Sequence, residues 1–173
     1  MFNQLKSIAI TVSLLWITLP SSAFDFSSVF YLGIEHGLSN NEVNCIFQTR
    51  NGFMWFGTFD GLNRYDGYSF KIFRKKLKDG NSLLNNRVQC LAEDEAGNLW
   101  IGTMGGVSIY NDAKESFTTL YFNPLSKSGT QRVDNTTVLK KEGKNDMLIG
   151  TAKDGLLLYT KETGKTIQIL KVD

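Results

Sequence analysis

The sequence predicts an all-β fold, an incomplete β-propeller of about three four-stranded blades with a 45-residue repeat. Three observations predict it. The chain repeats itself at a nearly constant interval. Each repeat divides into four short apolar runs separated by turn residues. After Ala23 no stretch shows a sustained helical period.

The interval is read by alignment of the chain with itself. Asn40-Asn41-Glu42-Val43-Asn44-Cys45-Ile46 matches Asn85-Asn86-Arg87-Val88-Gln89-Cys90-Leu91 at an offset of 45. Trp55-Phe56-Gly57-Thr58 matches Trp100-Ile101-Gly102-Thr103, and Gly61 and Tyr65 match Gly106 and Tyr110, all at the same offset. A third, more diverged copy carries Leu148-Ile149-Gly150-Thr151, Gly155 and Tyr159, at offsets of 48 and 49 from the second. One residue is inserted between Thr151 and Gly155. Leucine-rich and hexapeptide repeats are too short to give this interval, and an immunoglobulin-like sandwich does not repeat its sequence.

Residues 1–23 read as a secretory signal peptide. Lys6 is the only charge, Ile8–Leu19 is an apolar run, and Ser21 and Ala23 are small residues at the −3 and −1 positions of a cleavage site. A helix of twelve residues rises about 18 Å, short of a bilayer core of about 30 Å. An uncleaved anchor is the rival reading. No Cys lies near the cleavage site to suggest a lipoprotein. Residues 24–36 are read as a lead-in strand, 37–81 as blade 1, 82–130 as blade 2 and 131–173 as blade 3.

Within blade 1 the expected strands are Val43–Gln48, Phe53–Thr58, Leu62–Tyr65 and Ser69–Phe73. Asn51-Gly52 and Asp66-Gly67 are hairpin-turn signals, because Asn and Gly tolerate positive φ. Arg74–Asn86 is a polar crossover. Blade 2 is expected at Val88–Glu93, Leu99–Thr103, Val107–Tyr110 and Ser116–Leu120. Blade 3 is expected at Thr137–Lys141, Met147–Thr151, Leu156–Tyr159 and Thr166–Leu170. Trp55 and Trp100 are expected to fill the space between successive blades. Gly57, Gly102 and Gly150 sit inside strands, where Gly marks close approach of another group.

Composition narrows the function. With 42% hydrophobic and 21% charged residues the chain is globular, and a net charge of +2 gives no field to recruit nucleic acid or an anionic membrane. Two Cys in an oxidising compartment could pair.

The repeated residues resemble the two-component regulator propeller repeat. The resemblance is carried by Leu99-Trp100-Ile101-Gly102-Thr103, Gly106 and Tyr110, and by Met54-Trp55-Phe56-Gly57-Thr58, Gly61 and Tyr65-Asp66. Gly37-Leu38-Ser39-Asn40-Asn41 looks like the opening of a first blade. The resemblance runs from about Phe30 to Leu170 and is weakest in the third copy, where Leu148 replaces Trp. It implies a periplasmic ligand sensor of a hybrid two-component system, with a glycan fragment as the signal in many members. It further implies a downstream membrane helix and histidine kinase, so the 173-residue chain reads as a fragment of such a protein. Closed propellers hold roughly 4–8 blades. Three blades therefore leave two apolar faces open, and a homo-oligomer could close the ring.

Candidate chemistry is sparse. His36, the only histidine, lies in a turn before blade 1 and is read as a surface residue. Cys45 and Cys90 share one repeat position in neighbouring blades and are read as two buried small apolar residues rather than a disulfide or metal pair. Asp94-Glu95-Ala96-Gly97-Asn98 lacks the spacing of a calcium loop and is read as a hairpin turn. Arg74-Lys75-Lys76 with Lys78 is a solvated basic loop. Tyr65, Tyr110 and Tyr159 recur at one site and are read as packing residues. No catalytic, cofactor-binding or metal residue is expected, no cofactor, and no nucleic-acid partner. The expected ligand is a carbohydrate in the intact protein. A propeller enzyme, such as a polysaccharide lyase or quinone-dependent dehydrogenase, is the alternative, as is a secreted binding module completed by other chains.

Overall fold

The computed structural model describes residues 30–122 and 131–170. The signal-peptide reading and residues 24–29 of the lead-in lie outside the described residues.

Three four-stranded antiparallel sheets follow one another, each a simple meander in chain order. The first holds β1 (Val43–Gln48), β2 (Met54–Thr58), β3 (Gly61–Tyr65) and β4 (Phe70–Phe73). The second holds β5 (Val88–Glu93), β6 (Leu99–Thr103), β7 (Gly106–Asn111) and β8 (Ser116–Thr119). After a two-stranded ladder of β9 (Tyr121–Phe122) and β10 (Gln131–Arg132), the third sheet holds β11 (Thr136–Glu142), β12 (Asp146–Thr151), β13 (Leu156–Thr160) and β14 (Lys165–Leu170). Every four-strand expectation is met to within one residue at each end.

The sheets fan about their first strands. β5 lies between β1 and β11 and packs against both, whereas the fourth strands hold no comparable contact. A β-bulge recurs at the same point of each first strand: between Val43 and Cys45, between Val88 and Cys90, and between Thr136 and Val138. A bulge increases local twist, which lets three sheets splay from a common edge.

Flat sheets bury surface only against one another, so the core lies between blades. One cluster joins Trp55 and Leu62 of blade 1 to Val88, Leu99, Ile101 and Tyr110 of blade 2. The other joins Trp100 and Val107 of blade 2 to Leu139, Met147, Ile149 and Leu157 of blade 3. The two Trp side chains are 1% and 2% exposed, as their proposed wedge role requires. At Gly57 a side chain would collide with Cys45 Sγ and, at 2.5 Å, with Val88 Cγ1 of the next blade. At Gly102 it would collide with Cys90 Sγ and, at 2.9 Å, with Thr136 Cγ2. Glycine lets adjacent sheets approach here.

The Gly-Thr pair of the motif has a second task. Thr58, Thr103 and Thr151 each donate a hydroxyl hydrogen bond to the carbonyl of Gly61, Gly106 and Gly155, at 3.0, 2.8 and 2.9 Å. Gly61 and Gly106 have φ of +118° and +124°, the left-handed region expected of that turn.

Three expectations are corrected. The described part of the lead-in, residues 30–36, forms no strand; it ends in a short 3-10 turn, Ile34–His36. Gly37, at φ +100°, stops the turn, and the backbone N–H of Ile34 donates to Asn41 Oδ1 rather than to a sheet. Cys45 and Cys90 are free and only part-buried, because each packs at the margin of an apolar cluster between blades rather than inside it. β9 and β10 were not expected. A two-residue ladder is too short to leave a period, and β9 is held from outside, by Thr166 Oγ1 donating to the Tyr121 carbonyl at 3.5 Å.

Candidate functional site

Within each blade the first and third hairpin turns fall on one rim. On that rim the two blade junctions differ. At the first, Arg64 of β3 lies with its guanidinium 4.3 Å from the Phe53 ring centroid and 6.0 Å from that of Trp55. It donates to Asp112 of blade 2 at 2.6 Å. Tyr110 packs edge-on to Trp55 at 5.6 Å and against Phe73 at 5.1 Å. Burial, with the Asp112 charge close by, pushes the Tyr110 hydroxyl up to about 12, so it stays neutral.

The second junction holds the same repeat positions with different residues. Ile109 stands where Arg64 stood, Asn98 where Phe53 stood, and Lys161 where Asp112 stood. The space the guanidinium fills at the first junction is open at the second. It forms a groove of about 120 Å³, floored by Trp100, Ile109 and Met147. Tyr159 packs against Trp100 at 5.0 Å and closes one side.

Six charged residues face this groove: Asp94, Glu95 and Asp146 against Lys141, Lys144 and Lys161. Asp94 accepts from Asn98 Nδ2 at 2.8 Å and from Trp100 Nε1 at 3.3 Å. It also accepts the backbone N–H groups of Ala96 and Asn98, both at 2.9 Å. Burial alone would raise this carboxyl, but the Asn98 and Trp100 hydrogen bonds and the Lys161 charge outweigh it and hold it below the usual carboxylate range. Glu95 pairs with Lys141 across the junction and lies 3.9 Å from Arg50 of blade 1. Burial and the neighbouring Asp94 charge push the Tyr159 hydroxyl up.

The residues singled out from the sequence are thereby placed. Asp94–Asn98 is a hairpin turn, and it also supplies one wall of the groove. Tyr110 and Tyr159 are packing residues that bind a blade to the Trp of the preceding one, while Tyr65 donates to the Gly67 carbonyl at 2.8 Å. His36 is half-exposed in its turn, where its Nδ1 accepts the Gly33 N–H at 3.2 Å. Cys45 and Cys90 lie at the cluster margins, with thiols pushed by burial up to about 11 and about 12, the latter raised further by its neighbour Cys45. Arg74 leaves the basic run to pair with Asp60 at 2.8 Å. Lys141, Lys144, Lys161 and Ile109 were not singled out. Only the substitution Arg64 to Ile109 between aligned repeats signalled the groove, and it shows once the copies are compared position by position.

The comparisons with known proteins agree with this architecture. The family model of the two component regulator propeller matches residues 37–60 and 82–105. Histidine kinase P4 of Formosa agariphila is 39% identical over 74 residues, 43% of this chain and 5% of that protein. The extracellular domain of a hybrid two-component system protein of B. thetaiotaomicron superposes with a TM-score of 0.70 at 29% identity, over 79% of this chain and 19% of that one. A second extracellular domain from the same organism, described as belonging to a one-component system, superposes at 0.67 and 22% identity, over 84% and 21%, and speaks to the fold alone. This chain thus spans about a fifth of the solved domains and a small fraction of the kinase. Two segments of the chain match the two component regulator propeller model, and its three blades share the β-propeller fold of extracellular two-component sensor domains.

Proposed function

We propose that the chain is part of the periplasmic ligand-sensing propeller of a hybrid two-component system, exported by residues 1–23, and that the intact protein senses a carbohydrate fragment. The observation that carries this reading is the repeat match over 37–60 and 82–105, joined to 29% identity with an extracellular two-component sensor domain along 79% of the chain. Blades supply rigid rims, and rims with variable turns are where ligands are read. In this reading the chain performs no chemistry. It contributes binding energy that shifts a conformational equilibrium in segments attached to it, and the phosphoryl transfer belongs to a kinase module.

The test combines cell fractionation with N-terminal sequencing and a glycan screen on the full-length gene product. Recovery from the periplasm with an N-terminus at Phe24, and binding of an oligosaccharide, are expected. Cytosolic recovery with Met1 retained would sink the sensor reading.

A further inference from the structure

We propose that the groove between blades 2 and 3 binds the carboxylate of a small hydroxylated organic acid, with Lys144 and Lys161 as its charge partners. The first junction acts as an internal control. There the same space is occupied by a side-chain guanidinium, sandwiched on Phe53 and paired with Asp112. At the second junction Ile109 is too short to fill it, and the position of Asp112 carries Lys161, so the charge at that wall is reversed. A water takes roughly 10–15 Å³ of such space. The groove, at about 120 Å³, therefore has room for a carboxylate and the carbons beside it, with the rest of the molecule over the rim.

The charges facing the groove select the occupant. Asp94 is satisfied by four hydrogen bonds, and Glu95 is engaged by Lys141. The three acids and three lysines of the groove balance in charge, with Lys161 close enough to Asp94 and Lys144 close enough to Glu95 to help hold those carboxyls low. Lys144 and Lys161 nevertheless make no ion pair among the described residues, so their ammonium groups stay open to a ligand. An anion suits the lysines, a hydroxyl donor suits Asp146, and a C–H face suits the floor of Trp100, Ile109 and Met147. Charge-assisted hydrogen bonds are the strong ones, so the lysines should dominate the affinity.

The binding does not depend on the sensor reading; its signalling consequence does. The experiment is isothermal titration of the full chain with D-glucuronate, D-glucose and inorganic sulfate at low ionic strength. Glucuronate is expected to bind, glucose to give no heat at the same concentration, and sulfate to bind more weakly. Lys161→Gln and Lys144→Gln, both at exposed sites, should each lower glucuronate affinity about tenfold. The double change Ile109→Arg with Lys161→Asp copies the Arg64–Asp112 pair into the groove and should abolish binding while the near-ultraviolet circular dichroism is kept. No heat with glucuronate, equal binding of glucose, sulfate binding as tight as glucuronate, or affinity unchanged in both lysine variants would each overturn the proposal. Any of these failures leaves the sensor reading standing, because that reading is tested by export and by the intact protein's ligand screen.

Discussion

The two blade junctions are built on one repeat and solve the same packing problem differently. The first is aromatic and closed: Trp55, Phe73, Tyr110 and Phe117 stack in series, and Arg64 seals the rim against Asp112. The second keeps one indole, Trp100, and sets it against Met147, Ile149, Leu157 and Tyr159. There the ion pair is lost and a groove remains. The repeat therefore specifies that blades stack, and the residues that vary between copies specify what lies on the rim. A propeller can hold a closed frame at one junction and leave an open groove at another.

The largest expected effects come from the wedge residues. Trp55→Ala should cost about 3–5 kcal/mol in urea unfolding, since a fully buried indole is removed from close-packed neighbours. Trp100→Ala should cost less, because the adjoining groove already admits water. Equal costs would show that the two junctions are not energetically distinct.

Next come the strand glycines. Gly57→Ala and Gly102→Ala should each destabilise by about 1–3 kcal/mol, because the added methyl meets the following blade. Gly150→Ala should stay within about 0.5 kcal/mol, since its nearest neighbour is Val138 Cβ of its own sheet at 3.3 Å. A cost at Gly150 as large as at Gly57 would break the claim that these glycines serve blade-to-blade approach.

The ion pairs are weaker still. A double-mutant cycle on Arg64 and Asp112 should give a coupling of about 1 kcal/mol, because the Arg64 side chain is only 17% exposed and is held over a ring. Lys71 and Glu115, both exposed, should couple by only a few tenths, and both values should fall with added salt. Equal couplings at the two pairs would remove the sealing role given to Arg64.

The smallest effect is on pH dependence. The folded thiols of Cys45 and Cys90 are raised above their ordinary value of 9.0, to about 11 and about 12. A protonated thiol in the folded state then contributes stability that is complete below pH 9 and is lost as pH rises through 11 to 12. The difference in unfolding midpoint between the wild type and the Cys45→Ala, Cys90→Ala double variant should be flat to pH 9 and shift against the wild type above it. A shift appearing below pH 8 would contradict the burial of these thiols.

The blades were legible because hairpin chemistry is local. Asn51-Gly52 and Asp66-Gly67 mark turns whatever lies elsewhere, and alternation marks the strands between them. Trp55 and Trp100 were legible as wedges because a large ring repeated at one strand position has only a sheet face to cover. The lead-in was misread because residues 30–36 look extended until Gly37 and Asn41 are seen to fold them into a turn. The cysteines were misread because burial at the cluster margin depends on how far the sheets splay, which no strand of its own encodes.

Sequence by itself determined the four strands of each blade, their order, their turns and the face each Trp would cover, since all of these follow from side-chain period and backbone preference within about 45 residues. Only the tertiary structure decided that Arg64 fills one rim while Lys144, Lys161 and Tyr159 border an open one. Arg64 meets Asp112, and the blade 3 residues meet Trp100 and Ile109, from different repeats, and the distance between them is set by the approach of one sheet to the next.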